Sequence, residues 1–254
     1  DGALVKEFGS ERVCYAGICE TQMYGAGVGA ALAGTRPIVD IFWSDFAVEA
    51  FGQLVLQAAK IRFKIAYKLD CPVVFRLDYA GIDYKTVHHS GCYHNWIANA
   101  PGLLVAVPST PADVVGLWRT ALRDNKDPVC MMNDRGVQGV SGPVPEDDYT
   151  IPFGVADVKR ESSDVTIAAV GHYVHRALEV AEDLAKEGID VEVWDPRTLT
   201  PFDRESLIKS VKKTGAMVVV DQAPKTFGTT GEFAMTVAEA VDPIPPMARV
   251  TTMD

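Results

Sequence analysis

The chain has 254 residues, 48% of them hydrophobic, and a formal net charge of −10 at pH 7. This length and apolar content suffice for one large or two ordinary packed domains. The acidic balance argues against nucleic acid or an anionic membrane as a partner, since both attract clustered Lys and Arg. No apolar run reaches about 18 residues and no signal peptide opens the chain, so the sequence predicts no membrane span.

The cysteine pattern indicates a cellular compartment, and the first residues bear on the length of the protein. Five cysteines occur, with no CxxC pair and in an odd number. This pattern is typical of a reduced, intracellular protein, in the cytoplasm or, in a eukaryote, the mitochondrial matrix. The opening DGALVKEFGSERV reads like the middle of a longer sequence, so we expect that an N-terminal segment is missing.

Short apolar, β-branched runs alternate with stretches of helical period along the chain. The clearest helix runs from His172 to about Glu187, where a stripe of apolar residues faces away from charged ones and Gly188 is a plausible stop. Similar patterns cover Pro111–Asp124 and Asp203–Lys213. Buried strands are predicted at Pro37–Phe42, Pro72–Leu77, Leu103–Val107, Val129–Met132, Val165–Val170, Val191–Trp194 and Met217–Asp221.

This alternation predicts an α/β fold in which mostly parallel sheets are covered by helices. Glycine, proline and charge concentrate between Asn133 and Ser163, where few contacts are expected to cross. We therefore predict two α/β domains, residues 1–145 and 158–254, joined by a linker at 146–157.

The segment Gly17–Gly34 holds the first candidate for chemistry. Glu20 precedes a helix so rich in Gly and Ala that its surface allows another backbone or a flat ligand to approach closely. Two simpler interpretations stay open. GAGVGA has the spacing of a dinucleotide-binding glycine turn, although no β-branched strand precedes it. Glu20 could also be only a carboxylate favoured by the helix dipole.

The same segment begins a resemblance that extends over nearly the whole chain. The run ICE, its glycine-rich helix and the following RPIV are similar to the E1 β subunits of pyruvate, branched-chain 2-oxo acid and acetoin dehydrogenases. These are thiamine-diphosphate enzymes of the transketolase-like superfamily. The likeness continues through Asp45-Phe46, Gln57–Arg62, His89-Ser90, Pro101–Leu103 and Pro108–Pro111. It then passes through Arg123–Asn125, Glu146–Pro152, Ala156–Arg160, Asp164–Ile167 and Arg197–Pro201.

The resemblance implies a pyrimidine-binding domain followed by a transketolase C-terminal domain, and roles for individual residues. Glu20 would meet N1′ of the cofactor's aminopyrimidine, because a carboxyl group in an apolar cleft can share a proton with a ring nitrogen. Phe46 matches the aromatic residue beside that ring, and Gln22 joins them as a cofactor-binding residue. Phe46 could equally be ordinary core, since its surroundings are strongly apolar.

A second cluster of ionisable groups lies at Val87–Trp96. The resemblance places His89 at the reactive end of the cofactor, where an imidazole can assist the substrate or acyl transfer to lipoamide. A surface-loop histidine is the simpler alternative. A metal site of His88, His89, Cys92 and His94 is also conceivable, but their spacing fits no structural zinc pattern.

The residues before His89 depart from the family, which has a glycine-rich run and Gln-His-Ser-Gln there. This chain has LDYAGIDYKT, then His88 for the first Gln and Gly91 for the second. We expect Asp78, Tyr79 and His88 to line the substrate mouth, with Asp83 and Tyr84 beside them. Such acidic side chains would repel a 2-oxo acid carboxylate, which favours acetoin or another neutral ketone slightly.

The sequence contains no Gly-Asp-Gly, the start of the motif that holds Mg²⁺ and the diphosphate in thiamine enzymes. The resemblance therefore implies that an α subunit holds Mg²⁺ within an α2β2 heterotetramer. The C-terminal domain would serve dimer contacts and docking of the E2 lipoyl acyltransferase. Backbone carbonyls of Ala121, Leu122 and Asp124 align with a monovalent-cation loop of some relatives, which suggests K⁺.

The sequence thus predicts an E1 β subunit that oxidatively decarboxylates a 2-oxo acid or cleaves acetoin, active only with its α subunit. Two alternatives stay open. The chain could be the C-terminal half of a split transketolase, although Asp78 and Asp83 do not favour a sugar phosphate. It could also be a non-catalytic α/β partner subunit, in which the altered loop would have lost its function.

Overall fold

A computed structural model describes residues 2–80 and 86–253. Two five-stranded sheets, each mostly parallel and flanked by helices, confirm the predicted α/β fold with two domains. Within the described residues no helix is long and apolar enough to cross a membrane.

The first sheet has the strand order β1-β2-β4-β3-β8. Its first four strands are parallel and apolar, and β8, from the second half of the chain, joins antiparallel to β3. The strands are β1 Ile38–Trp43, β2 Val74–Tyr79, β3 Leu104–Ala106, β4 Val129–Asp134 and β8 Thr198–Thr200. The helices are α1 Gly2–Phe8, α2 Glu20–Leu32, α3 Ala59–Lys64, α4 His94–Ala98 and α5 Pro111–Arg123, with a π-helical stretch at Gly52–Ala58 and 3₁₀ turns at Ser44–Val48 and Arg135–Val137.

The second sheet has the order β10-β9-β6-β7-β5, with β5 antiparallel at one edge. Helices α6 and α7 contact β6 and β7, while α8 contacts β9 and β10. The strands are β5 Asp157–Arg160, β6 Val165–Ala169, β7 Val191–Asp195, β9 Met217–Pro224 and β10 Met247–Thr252. The helices are α6 Tyr173–Lys186, α7 Arg204–Thr214 and α8 Thr229–Ala240.

Local signals explain where the predicted helices begin and end. The Thr110 hydroxyl accepts a hydrogen bond from the backbone N–H of Asp113, and Pro111 occupies the first turn of α5. Gly188 follows the end of α6 with φ +82°, a conformation that glycine adopts without strain. All seven predicted strands and all three predicted helices are present, with ends shifted by a few residues.

Buried charges as well as apolar contacts join the two halves. The largest core cluster contains Phe75 of β2 together with Trp194 of β7 and Phe233 of α8. Asp113, on α5, accepts from Lys159 Nζ at 2.8 Å and from Arg197 Nε at 2.7 Å. Burial alone would raise the pKa of Asp113, but these two cations lower it below its usual value. The halves therefore share one continuous core, and the domain limits 1–145 and 158–254 remain a prediction.

Two glycines of α2 give a matched test of how closely this helix packs on the first sheet. A Cβ atom at Gly27 would lie 2.3 Å from Cγ2 of buried Val39, whereas one at Gly29 would meet nothing within 4 Å. We expect Gly27→Ala to lower the free energy of unfolding by about 1–3 kcal/mol through overpacking. We expect Gly29→Ala to raise it by up to about 1 kcal/mol, since alanine favours a helix. Urea denaturation of the isolated chain measures the free energy of unfolding of both variants. Equal changes in the two variants would contradict the close packing of Gly27 against Val39.

Candidate active site

The candidate site lies at the carboxyl ends of β1 and β2, the edge at which parallel α/β sheets bind ligands. Strand β1 ends at Trp43, and the 3₁₀ turn Ser44–Val48 follows directly with Asp45 and Phe46. The segment that begins at Thr86 and leads into α4 lies against this turn. Two regions more than 40 residues apart in sequence thus meet at one sheet edge.

His89 is held in an aromatic cluster on this edge. Its ring meets the Trp43 ring edge to face, with centroids 5.1 Å apart, and the Phe46 ring in the same way at 5.6 Å. Its Nδ1 lies 2.6 Å from the Thr86 hydroxyl oxygen, which leaves Nε2 as the nitrogen available for a reacting group. The structure therefore brings together Phe46 and His89, two of the residues proposed from the sequence.

Asp45 fixes the backbone that follows His89. One of its carboxylate oxygens accepts a hydrogen bond from the Gly91 N–H at 3.1 Å, and the Ser44 hydroxyl donates to the Gly91 carbonyl at 3.2 Å. A Cβ atom at Gly91 would lie 2.7 Å from this Asp45 oxygen and 2.2 Å from the Tyr93 ring. Any residue larger than glycine at position 91 would therefore require its neighbours to shift.

Glu20 is the first residue of α2 and is half-buried, while Gln22 in the same turn is exposed. The neighbouring Thr21 hydroxyl donates to the Glu49 carbonyl at 2.5 Å. Glu49 directly follows the 3₁₀ turn that carries Phe46. The start of α2 is thereby anchored next to the turn on which the aromatic cluster is built, although no direct contact joins Glu20 to His89.

The chemistry of this edge fits the aminopyrimidine end of thiamine diphosphate. The second carboxylate oxygen of Asp45 is buried without a hydrogen-bond partner among the described residues. Unpaired buried polar atoms are uncommon and point to a missing ligand or water. An aminopyrimidine offers ring nitrogens and an amino group to such atoms, and a flat face to Phe46 and Trp43. Glu20, Asp45 and Phe46 are thus the residues that could hold it.

Two residues expected at the substrate mouth, Asp78 and Tyr79, have little exposure in the structure. Asp78 and Tyr79 are completely buried at the end of β2. Asp78 lies 2.8 Å from Arg76 Nη2 and 3.6 Å from Arg135 Nη1, and it accepts hydrogen bonds from Asn133 and Gln138. Two arginines thus offset the charge of Asp78, and the expectation that Asp78 and Tyr79 line the substrate mouth stays a prediction.

His88, Asp83 and Tyr84 are the other residues expected at the mouth. His88 is exposed, and its role in choosing the substrate stays a prediction. Asp83 and Tyr84 lie outside the described residues.

Arg135 is a residue that the sequence did not single out. Its guanidinium lies over the Trp43 ring, 4.8 Å from the centroid, and over the Phe42 ring at 5.8 Å. Its Nε is buried without a hydrogen-bond partner in the described part of the chain. Trp43 thus lies against both Arg135 and His89. The sequence holds no signal for this contact, since it depends on where β4 lies relative to β1.

The residues proposed for a monovalent cation lie apart from this edge. Ala121 and Leu122 belong to the last turn of α5, and Asp124 caps it. Carbonyls of a last helical turn lack intrahelical donors, so their backbone oxygens are free to face a cation. Arg36 Nη1, however, donates to the neighbouring Asn125 carbonyl at 2.7 Å and brings a positive charge close by. The K⁺ site stays a prediction.

Comparison with known families matches both halves of the chain. Residues 2–138 match the transketolase pyrimidine-binding domain, and residues 154–254 match the transketolase C-terminal domain. Among solved structures, the chain is similar to a split-gene transketolase described as an inactive β4 tetramer. The TM-score is 0.79 and the identity 26%, over 94% of this chain and 73% of the other.

Curated relatives are more similar in sequence. The β subunit of 2-oxoisovalerate dehydrogenase from Bacillus subtilis is 40% identical over 93% of this chain and 72% of its own length. The β subunit of acetoin:2,6-dichlorophenolindophenol oxidoreductase from the same organism is 39% identical over 93% and 69%. The pyruvate dehydrogenase E1 β subunit from that organism is 37% identical over 89% and 69%. The chain therefore belongs to the transketolase-like family of E1 β subunits of 2-oxo acid and acetoin dehydrogenases.

Proposed function

We propose that this chain is the β subunit of a thiamine-diphosphate-dependent E1 component that oxidatively decarboxylates a 2-oxo acid or cleaves acetoin. In this proposal the acyl group passes to lipoamide of an E2 acyltransferase. The observation that carries it is the edge at which Phe46, Trp43 and His89 meet beside the start of α2. This arrangement offers an acid, an aromatic wall and an imidazole to one flat cofactor.

Each residue has a distinct task in the proposal. The cofactor, when bound, supplies a nucleophilic carbon and accepts the electron pair released as the substrate's C–C bond breaks. Glu20 would hold a proton at N1′ of the aminopyrimidine, Phe46 would pack against that ring, and Gln22 would be a further cofactor-binding residue. His89 exchanges a proton with the substrate or with the acyl acceptor, while Trp43 and Thr86 hold its ring in place.

The missing Gly-Asp-Gly motif supports a site shared between two chains. An α subunit would hold Mg²⁺ and the diphosphate, and the proposed assembly is an α2β2 heterotetramer. The second domain would provide dimer contacts and the docking surface for E2. The proposal locates the protein in the cytoplasm, or in the mitochondrial matrix of a eukaryote, since one relative is a mitochondrial β subunit from Arabidopsis thaliana.

A substrate panel tests this function. The chain, reconstituted with its α subunit, thiamine diphosphate and Mg²⁺, is offered pyruvate, branched 2-oxo acids, acetoin and a ketose phosphate with an artificial electron acceptor. We expect acceptor reduction with a 2-oxo acid or acetoin, and 2-oxo acids are not disfavoured because Arg76 and Arg135 offset Asp78. Asp78→Asn should leave the order of substrates unchanged.

The panel also tests the second candidate. The similarity to a split-gene transketolase favours a sugar-phosphate reaction, although at 26% identity it is weaker than that to the dehydrogenase subunits. Turnover of the ketose phosphate alone, with no reaction of 2-oxo acids or acetoin, would replace the proposed function by transketolase chemistry.

A further inference from the structure

A buried cluster of Cys92, His94 and Asp221 lies where the two halves meet. Cys92 is 9% exposed, His94 is fully buried and Asp221 is 1% exposed. The Cys92 Sγ lies 3.1 Å from His94 Nδ1, and His94 Nε2 lies 2.8 Å from an Asp221 carboxylate oxygen. Cys92 lies just before α4, His94 is the first residue of α4, and Asp221 belongs to β9 of the second sheet.

We propose that Cys92, His94 and Asp221 form a binding site for a divalent cation of the zinc type, which would tie the two halves of the chain together. A thiol, an imidazole and a carboxylate are the three side chains that most often ligate Zn²⁺. One ligand atom from each lies within 4.8 Å of the other two. Bond lengths of about 2.0–2.3 Å place zinc ligands about 3.3–3.8 Å apart, so side-chain rotation would have to bring the three ligand atoms closer together.

The electrostatics of this region favour a cation. Asp134 is 2% exposed and also lies in this region, with its carboxylate accepting from the His172 N–H at 2.8 Å and from Gln222 at 2.6 Å. Among residues 2–80 and 86–253, no Lys or Arg forms an ion pair with Asp134 or Asp221, and only His94 pairs with Asp221. Buried carboxylates are normally paired with a cation or bound to a metal.

The position of the His94 ring supports the same site. The ring lies between Cys92 and Asp221, with Nδ1 facing the thiol and Nε2 facing the carboxylate. Binding would require the ring to rotate, so that one nitrogen, the Cys92 sulfur and an Asp221 oxygen face the same ion.

An ion here would also act on the candidate active site. Cys92 lies three residues after His89, and the backbone between them is tied to Asp45 through Gly91. A bound ion would hold Cys92 and His94 against Asp221 of β9, and so limit the motion of the His89 ring. The inference rests on the cluster alone and holds whatever substrate the site takes.

Cobalt is a suitable probe, because Co²⁺ replaces Zn²⁺ and gives a charge-transfer band when a thiolate ligates it. The full chain, freed of metal by a chelator, is titrated with Co²⁺ and then with Zn²⁺, and bound metal is counted after dialysis. Cys14 and Cys19 are exposed, so the titration uses a Cys14→Ser/Cys19→Ser background. We expect one ion per chain, the thiolate band, and displacement of Co²⁺ by Zn²⁺.

Variants separate this cluster from other cysteines. Cys92→Ser should abolish the band, and Asp221→Asn should weaken binding at least about tenfold. Cys71→Ser is the matched control, since Cys71 is buried outside this cluster. This variant should keep both the thiolate band and the affinity for the ion. Absence of a thiolate band in the unsubstituted cluster, or a band that persists in Cys92→Ser, would overturn the proposal. If Cys92→Ser does not fold, the parent chain and Asp221→Asn still test the proposal. A parent chain without the band, or an Asp221→Asn variant with unchanged affinity, would overturn it.

Discussion

Glu20→Gln, in the complex reconstituted with the α subunit, should slow proton exchange at C2 of bound thiamine diphosphate by about 100-fold or more. A glutamine has nearly the shape of glutamate, so folding and assembly should be unchanged. Its amide, however, cannot share a proton with N1′, and without that proton the aminopyrimidine is a poor base. The measurement is deuterium exchange of the bound cofactor followed by NMR after rapid acid quench.

Glu49→Gln is a suitable control for this experiment. Glu49 is an exposed acid near the same helix start, and only its backbone carbonyl contacts Thr21. Its amide variant should exchange at the rate of the unsubstituted chain. If Glu20→Gln also exchanged at that rate, Glu20 would be only a helix N-terminal carboxylate and the assigned role would be lost.

His89→Asn should reduce turnover with an acceptor by about 10²–10⁴-fold, the usual contribution of a positioned acid or base. The same variant should leave C2 proton exchange nearly unchanged, because the proposal assigns that step to Glu20. Asparagine can keep a hydrogen bond to the Thr86 hydroxyl, so the segment should stay in place. Steady-state turnover and cofactor exchange are measured on one preparation.

The two variants therefore form a reciprocal pair. Glu20→Gln should lose both cofactor exchange and turnover, whereas His89→Asn should lose turnover alone. Normal turnover in His89→Asn would reduce this histidine to a structural member of the aromatic cluster with Trp43 and Phe46.

The sequence predicted the centre of each sheet well because buried parallel strands are continuous apolar runs. The strands it missed are β5, β8 and β10, which read DVKR, TLT and MARVTT. Such short or polar runs become strands only because a neighbouring strand offers hydrogen bonds. The crossing of β8 into the first sheet likewise depends on tertiary packing, so no local pattern could reveal it.

Side-chain burial was harder to predict than strand position. The sequence places Asp78 next to a loop, and a carboxylate there is normally exposed. Its burial follows from Arg76 two residues earlier on the same strand and Arg135 after β4, which meet it only in the folded chain. Asp221 meets His94 in the same way, from 127 residues away.

The roles proposed for Glu20 and His89 come from the resemblance to a known family, because the residue pattern alone left them open. The structure adds the physical setting: two aromatic rings against His89 and an unpaired carboxylate oxygen on Asp45. Neither can be read from spacing, because both depend on how the segment around His89 packs against the turn after β1.

The claim that this chain holds only one end of the cofactor is tested most directly by calorimetric titration with thiamine diphosphate and Mg²⁺. The isolated chain should release little heat, because its sequence lacks the Gly-Asp-Gly that begins the Mg²⁺ motif. Adding the α subunit should restore tight binding, with one cofactor per αβ pair. Tight stoichiometric binding by the isolated chain would contradict the shared site.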